Sequence, residues 1–213
     1  QFIVTQLGYD ARKIHEIFLY MKEHFPQIPI IGNIYILPYG AARMMNNNEL
    51  PGSVVTDKLL VDLHREQKTA DKGAAARTLR AARMYALMKG IGFNGVHIGG
   101  HNIKYEQIEE IIRQGEALAP HWTELVKYFD YPIENGFYYF DYDPKTGLNR
   151  KTPSDRQTAT SAAKWELAYF ISSFFHKLLF EPGKNLYGIM KAISKKIASS
   201  RLVNLFHKIE HLI

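Results

Sequence analysis

Gln6 carries the most chemical content of any single residue in this chain, because it closes the apolar run Phe2-Ile3-Val4-Thr5-Gln6-Leu7. That run is rich in β-branched residues and free of turn residues, so it reads as a short buried strand. A polar amide at the end of such a strand is costly unless its donors and acceptors find partners. In parallel α/β folds the carboxyl ends of strands face the ligand. A neutral amide there suits a heterocycle that offers both a donor and an acceptor. A glutamine bonded to loop backbone accounts for the residue equally well. His97 has a comparable place, at the end of the strand-like run Asn94–Gly100, where Gly99-Gly100 makes a turn. It reads either as a site residue or as a packed, hydrogen-bonded histidine.

Other motifs carry less. His97 and His101 share an HxxxH spacing that would bring both rings to one face only on a helix. Across a strand end and a glycine turn they diverge, which argues against a metal site. Gly90-Ile91-Gly92-Phe93-Asn94-Gly95 matches GxGxxG, but it follows a helix and precedes a strand, the reverse of a dinucleotide fingerprint. A helix C-cap and connecting loop explain it better. Asp141-Tyr142-Asp143 resembles the opening of a calcium loop, yet Lys145 stands at the third ligand position and Gly147 falls one residue late. A solvated turn is the simpler reading.

The elements that must hold these residues follow from periodicity. Asp10 is placed to cap a helix with an apolar stripe of Ile14, Ile17, Phe18, Met21 and Phe25, ended by Pro26. Pro29–Leu37 reads as a second strand, stopped by Pro38, with a helical turn around Ala41–Met45. A helix is expected from Pro51 to about Arg65 and a long Ala-rich one over Thr69–Lys89. Asn94–Gly100 is the third strand and Lys104–Leu118 again helical. Strands this apolar, alternating with helices, predict right-handed βαβ units and a parallel sheet. The texture then changes. Tyr128–Tyr142 is dense in aromatics, Asp143–Gly147 signals a turn, and residues 144–157 read as polar and loosely placed. From about Thr158 the pattern is helical once more.

Composition bounds the rest. The chain has 213 residues, 46% apolar and 23% charged, which is globular usage. Having no Cys, it offers no disulfide, thiolate metal site or cysteine nucleophile. No apolar run approaches a membrane span, and a cytoplasmic location is expected. The net charge of +6 is uneven: from Ala163 onward eight Lys/Arg face three acids, while the remainder is nearly balanced. Aromatics are not interleaved with those cations, which argues against nucleic acid, and solvated helix faces explain them better than a membrane surface.

Several segments together resemble the methylenetetrahydrofolate reductase family. Thr5-Gln6-Leu7-Gly8-Tyr9-Asp10 is similar to the family's sixth strand and following turn, Ile30–Pro38 to its seventh, and Gly95-Val96-His97-Ile98 to its eighth. The resemblance implies the last three βα units of a (β/α)8 TIM barrel over residues 1–118. An aromatic and polar connecting segment (119–157) and a basic helical extension (158–213) would follow. It implies a part of a flavin-dependent oxidoreductase that reduces 5,10-methylenetetrahydrofolate in one-carbon metabolism. Gln6 would bind the folate substrate, while His97, Gly99 and Asn102 would border FAD. Gly99 and Ile103 depart from the family's usual tyrosine and arginine. A complete barrel takes about 250 residues, so FAD is expected on the complete protein and not on these residues alone.

Two rival readings stand beside it. One is an interaction module in which the aromatic segment and basic helices dock a redox partner subunit. The other is a folate-dependent methyl-transfer protein on the same barrel. A reduced pyridine nucleotide as electron donor and a homo-oligomer are compatible with all three.

Overall fold

The computed structural model describes residues 1–50, 52–134 and 136–154. Contacts divide the chain at Ser154, into Gln1–Ser154 and Asp155–Ile213. The helical extension expected from 158 lies outside the described residues.

Three parallel strands, β1 (Ile3–Val4), β2 (Ile30–Tyr35) and β3 (Gly95–Gly99), form one sheet in that spatial order. Ile3 is opposite Ile30, and Asn33 opposite His97. β1 is shorter than its apolar run suggests: Ile3 and Thr5 donate to Pro29 and Ile31 carbonyls, but the Asn33 N–H turns to the Thr5 hydroxyl at 3.0 Å and ends the ladder. At the other seam, Asn94 closes a two-way bond with Ile30, its Oδ1 accepting from the Ile30 N–H and its own N–H donating back, both at 2.9 Å.

β2 alternates cleanly, with Ile30, Gly32 and Ile34 buried and Ile31, Asn33 and Tyr35 half-buried. The buried side meets the helices. α1 (Ala11–His24) contributes Ile14 and Met21, α4 (Ala74–Ile91) contributes Ala82, Leu87 and Met88, and α5 (Tyr105–Leu118) contributes Ile111. Met88 and Phe93 lie so close over Gly32 that a side chain there would displace them.

Local chemistry sets the helix limits. The Asp10 carboxylate caps α1 by accepting from the Arg12 N–H at 2.9 Å. Between β2 and β3 run α2 (Tyr39–Asn46), α3 (Asp57–Glu66) and α4. The helix expected from Pro51, a residue outside the described set, begins instead at Asp57 behind the Thr56 cap. α4 starts later than Thr69 because Thr69 and Asp71 build a turn: the Asp71 carboxylate accepts from the Gly73 and Ala75 N–H groups at 3.0 and 2.7 Å. Gly92, left-handed at φ 113°, ends α4 by donating to the Met88 and Lys89 carbonyls. That geometry is a C-cap and excludes a phosphate cradle.

After α5, the short α6 (Trp122–Leu125) and a 3-10 turn (Val126–Phe129) lead to the antiparallel pair β4 (Phe140–Asp143) and β5 (Leu148–Pro153). β5 falls in the stretch expected to be loose. The Asp143–Gly147 turn holds itself together, with the Asp143 carboxylate accepting from Lys145 N–H and Thr146 Oγ1–H.

These sheets overturn the partial-barrel reading and the family resemblance built on it. A (β/α)8 barrel curls eight paired strands into a closed wall whose interior is packed with branched side chains. The described residues instead form an open three-stranded sheet and a separate two-stranded one. The buried residues of β2 all face the helices, while the opposite face exposes Val4 and His97. Three helices rather than one cross between β2 and β3.

Candidate functional site

The sheet face turned away from the helices carries a row of polar side chains. Val4, Ile31 and Gly95 are in register. Two residues further along β2 and β3, Asn33 and His97 are paired in register, so strand alternation puts both on that face, while Gln6 follows the end of β1 by two residues. Asn33 and His97 are joined by an Oδ1···Nδ1 contact of 3.2 Å. The His97 Nε2 makes no hydrogen bond among the described residues.

Gln6 is exposed at the end of β1, where its Oε1 accepts from the Leu7 N–H at 2.9 Å. Its Nε2 is directed at Gly52, whose position has room for a Cβ only at 3.2 Å from that nitrogen. The loop that carries Gln6 is pinned from below. Tyr9, buried, donates its hydroxyl to the Tyr35 carbonyl at 3.0 Å, and burial pushes that phenol well above its ordinary range. The face therefore presents the Asn33 side-chain amide beside the His97 imidazole, with the Gln6 amide, turned toward Gly52, just beyond β1. A cleft of about 400 Å³ runs from Gln6 along β1 to Ile14, Ile17 and Phe93.

The remaining expected site residues do not join the row. Asn102 is exposed, held left-handed at φ 52° in the turn after β3. Gly99 and Gly100 lie close to their neighbours, a Cβ at Gly99 meeting the His97 ring at 3.3 Å and one at Gly100 meeting Ile103 at 3.0 Å and Ile36 at 3.2 Å. His101 is exposed beyond the turn. Among the described residues, no group of three or more His, Asp or Glu side chains is placed to hold a metal ion.

No family model, no curated protein and no solved structure matches this chain. With an open sheet in place of a barrel and no relative to carry the assignment, the flavin-dependent reductase reading falls, and the folate methyl-transfer reading, which needed the same barrel, falls with it. Among the described residues no helix is long and apolar enough to cross a membrane.

A second polar cluster, which neither periodicity nor motif spacing revealed, joins α1 to the β4–β5 pair. Arg12 donates from Nε to Asn149 Oδ1 at 2.9 Å and from Nη2 to the Phe140 carbonyl at 3.1 Å, with its guanidinium 3.9 Å from the Tyr138 ring centre. Tyr138 donates to Asp10, and the Tyr139 N–H donates to Glu16 at 2.6 Å. Burial raises the Asp10 carboxyl above its ordinary value of 3.8, outweighing the Tyr138 and Arg12 bonds that lower it. His15 is shifted the other way, by burial first and Lys151 second, and its neutral Nδ1 accepts from the Asn149 N–H at 3.3 Å.

The two groups give opposite pH dependences. The folded chain holds the Asp10 proton more tightly than the unfolded chain, so ionisation of Asp10 costs stability as pH rises above 3.8. His15 resists protonation in the folded chain, so its contribution is lost as pH falls below 6.5. Asp10→Asn keeps the cap acceptor and removes the ionisation. It should raise the urea midpoint at pH 7 relative to the parent and lose that gain near pH 3. A gain independent of pH would contradict the burial of a charged carboxylate.

Proposed function

We propose that this chain is a ligand-binding module for a flat, uncharged, bicyclic polar heterocycle laid across the exposed face of its parallel sheet. The observation that carries this reading is the row Gln6–Asn33–His97. Asn33 and His97 are paired on the outer face of β2 and β3, and Gln6 follows β1 toward the carboxyl ends of the strands, the side on which parallel α/β proteins bind ligands. Adjacent strands lie about 4.8 Å apart. The row is thus about 10 Å long, close to the length of two fused rings. The complement is a ring edge with acceptors toward Gln6 and Asn33 and a donor toward His97 Nε2. No charged side chain stands in the row, which selects neutral rings over anionic ones. Val4 and Ile31 supply an apolar bed one step back along the strands.

Hypoxanthine is a suitable probe, since it is planar, bicyclic and carries acceptors and a donor on its edges. Calorimetric titration should give saturable binding, weakened about five- to tenfold by Gln6→Leu and again by Asn33→Leu. Indole, similar in size and with one donor only, should bind far more weakly. Equal affinity for indole, or unchanged hypoxanthine binding in the folded double variant, would overturn the reading.

A further inference from the structure

The geometry points to a second, independent site: the groove between α3, α4 and residues 127–131 binds the phosphoryl dianion of a phosphate ester. This cleft of about 350 Å³ is lined by five cations, Lys58, Arg65, Arg80, Arg83 and Lys127. Three are committed to carboxylates. Lys58 pairs with Asp130 at 2.7 Å, Arg65 with Asp62 at 3.6 Å, and Arg80 with Glu66. Arg83 and Lys127 have no carboxylate partner among the described residues. Both instead lie over one ring, that of Tyr128, with the Arg83 guanidinium 3.8 Å and the Lys127 ammonium 5.3 Å from its centre.

Two like charges gathered on one aromatic ring at the side of a cleft repel each other, and the ring offsets only part of that repulsion. An anion that binds both cations offsets it. The number of charges selects the ligand, because two unpaired cations balance a dianion and over-balance a carboxylate. The fork of Arg83 can take two phosphoryl oxygens side by side and the Lys127 ammonium a third as a point charge. The position is also restricted. Glu66 Oε2 is buried without a hydrogen-bond partner, and so is Arg80 Nη1. The Glu66–Arg80 pair is neutral as a whole, so the positive charge left over in the groove is that of Arg83 and Lys127.

The test is a titration of the protein with glycerol phosphate, inorganic phosphate and acetate at constant ionic strength, followed by NMR of the Arg83 Nε–H and the Tyr128 ring. Saturable shifts with glycerol phosphate, in about the millimolar range, are expected, with acetate at least tenfold weaker. A phosphate ester gains its second charge near pH 6, so affinity should rise between pH 5 and 7. Arg83→Gln and Lys127→Gln should each lower affinity about tenfold, and Arg83→Lys should do so by less. If inorganic phosphate binds as well as the ester, the site takes free phosphate and the ester assignment is overturned. Equal binding of acetate, shifts that never saturate, or affinity unmoved in folded variants overturns the site itself.

Discussion

Truncation of Phe129 to alanine is expected to lower the unfolding free energy by about 3–5 kcal/mol, the cost of removing a buried aromatic ring that cannot be refilled. Phe129 is fully buried and is among the largest side chains in the core. It belongs to a four-residue 3-10 turn, whose few i→i+3 bonds give its backbone little support if the ring is lost. Val126 and Leu148 are buried in the same core, which extends from the β4–β5 turn to the helices on the sheet. The same ring lines the phosphoryl groove beside Tyr128. Phe129→Ala should therefore also blunt glycerol phosphate binding, whereas hypoxanthine binding at the far face should survive in the fraction that stays folded. Urea denaturation monitored by circular dichroism gives the first quantity. A loss below about 1 kcal/mol would mean that the turn repacks.

The second large effect has the opposite sign to what helix propensity suggests. Gly90 lies inside α4, where replacement by alanine ordinarily gains about 0.5–1 kcal/mol. Here a Cβ would fall inside the indole of Trp122, which covers that turn of the helix. Gly90→Val should cost about 3 kcal/mol through overpacking. Adding Trp122→Ala to the same chain should return part of that loss, because the two positions share one volume. Gly115 of α5 does the same under Tyr85 of α4, so α4 meets α6 at one close approach that only glycine permits and α5 at another. Additive losses in the Gly90/Trp122 pair, measured by urea denaturation of the single and double variants, would refute the shared volume.

Local signals in the sequence located much of this framework. The Asp10 cap, the apolar stripe of α1, the glycine stop at Gly92 and the three strand runs all depend on interactions within a few residues, which spacing and residue type reveal. What spacing cannot reveal is how far strands continue and what stands beside them. β1 was expected through Leu7 but ends at Val4, because the Thr5 hydroxyl takes the Asn33 N–H that would have extended the ladder. β5 is polar throughout its outer half, and only pairing with β4 and the bonds of Asn149 to Arg12 make it a strand. Segmental likeness at Gln6 and His97 points to the last three units of a (β/α)8 barrel, yet the curl of a barrel is a property of strands meeting across the whole sheet, and short motifs do not encode it.

The candidate site was legible in part. Gln6 and His97 stand out as polar residues in apolar runs. Asn33 is equally polar in an equally apolar run, Ile30–Ile36, and the alternation Ile31-Asn33-Tyr35 would have placed it on the face opposite Ile30, Gly32 and Ile34. A strand as apolar as Ile30–Ile36 reads as buried on both faces, which hides this polar position. Register, known only from the folded chain, is what sets Asn33 between the other two. The groove of Arg83 and Lys127 had no local signature, since its cations come from segments more than forty residues apart.

We propose that the exposed face of the parallel sheet binds a neutral bicyclic ring through Gln6, Asn33 and His97. Its most direct test is the side-chain amide NMR spectrum of the intact chain during titration with hypoxanthine. The account predicts that the Gln6 and Asn33 side-chain N–H₂ signals and the His97 ring signals shift together with a single saturation curve. The Asn149 side-chain amide, on the far side of α1, should stay fixed. Shifts absent from those three residues at saturation, or present in only one of them, would contradict it.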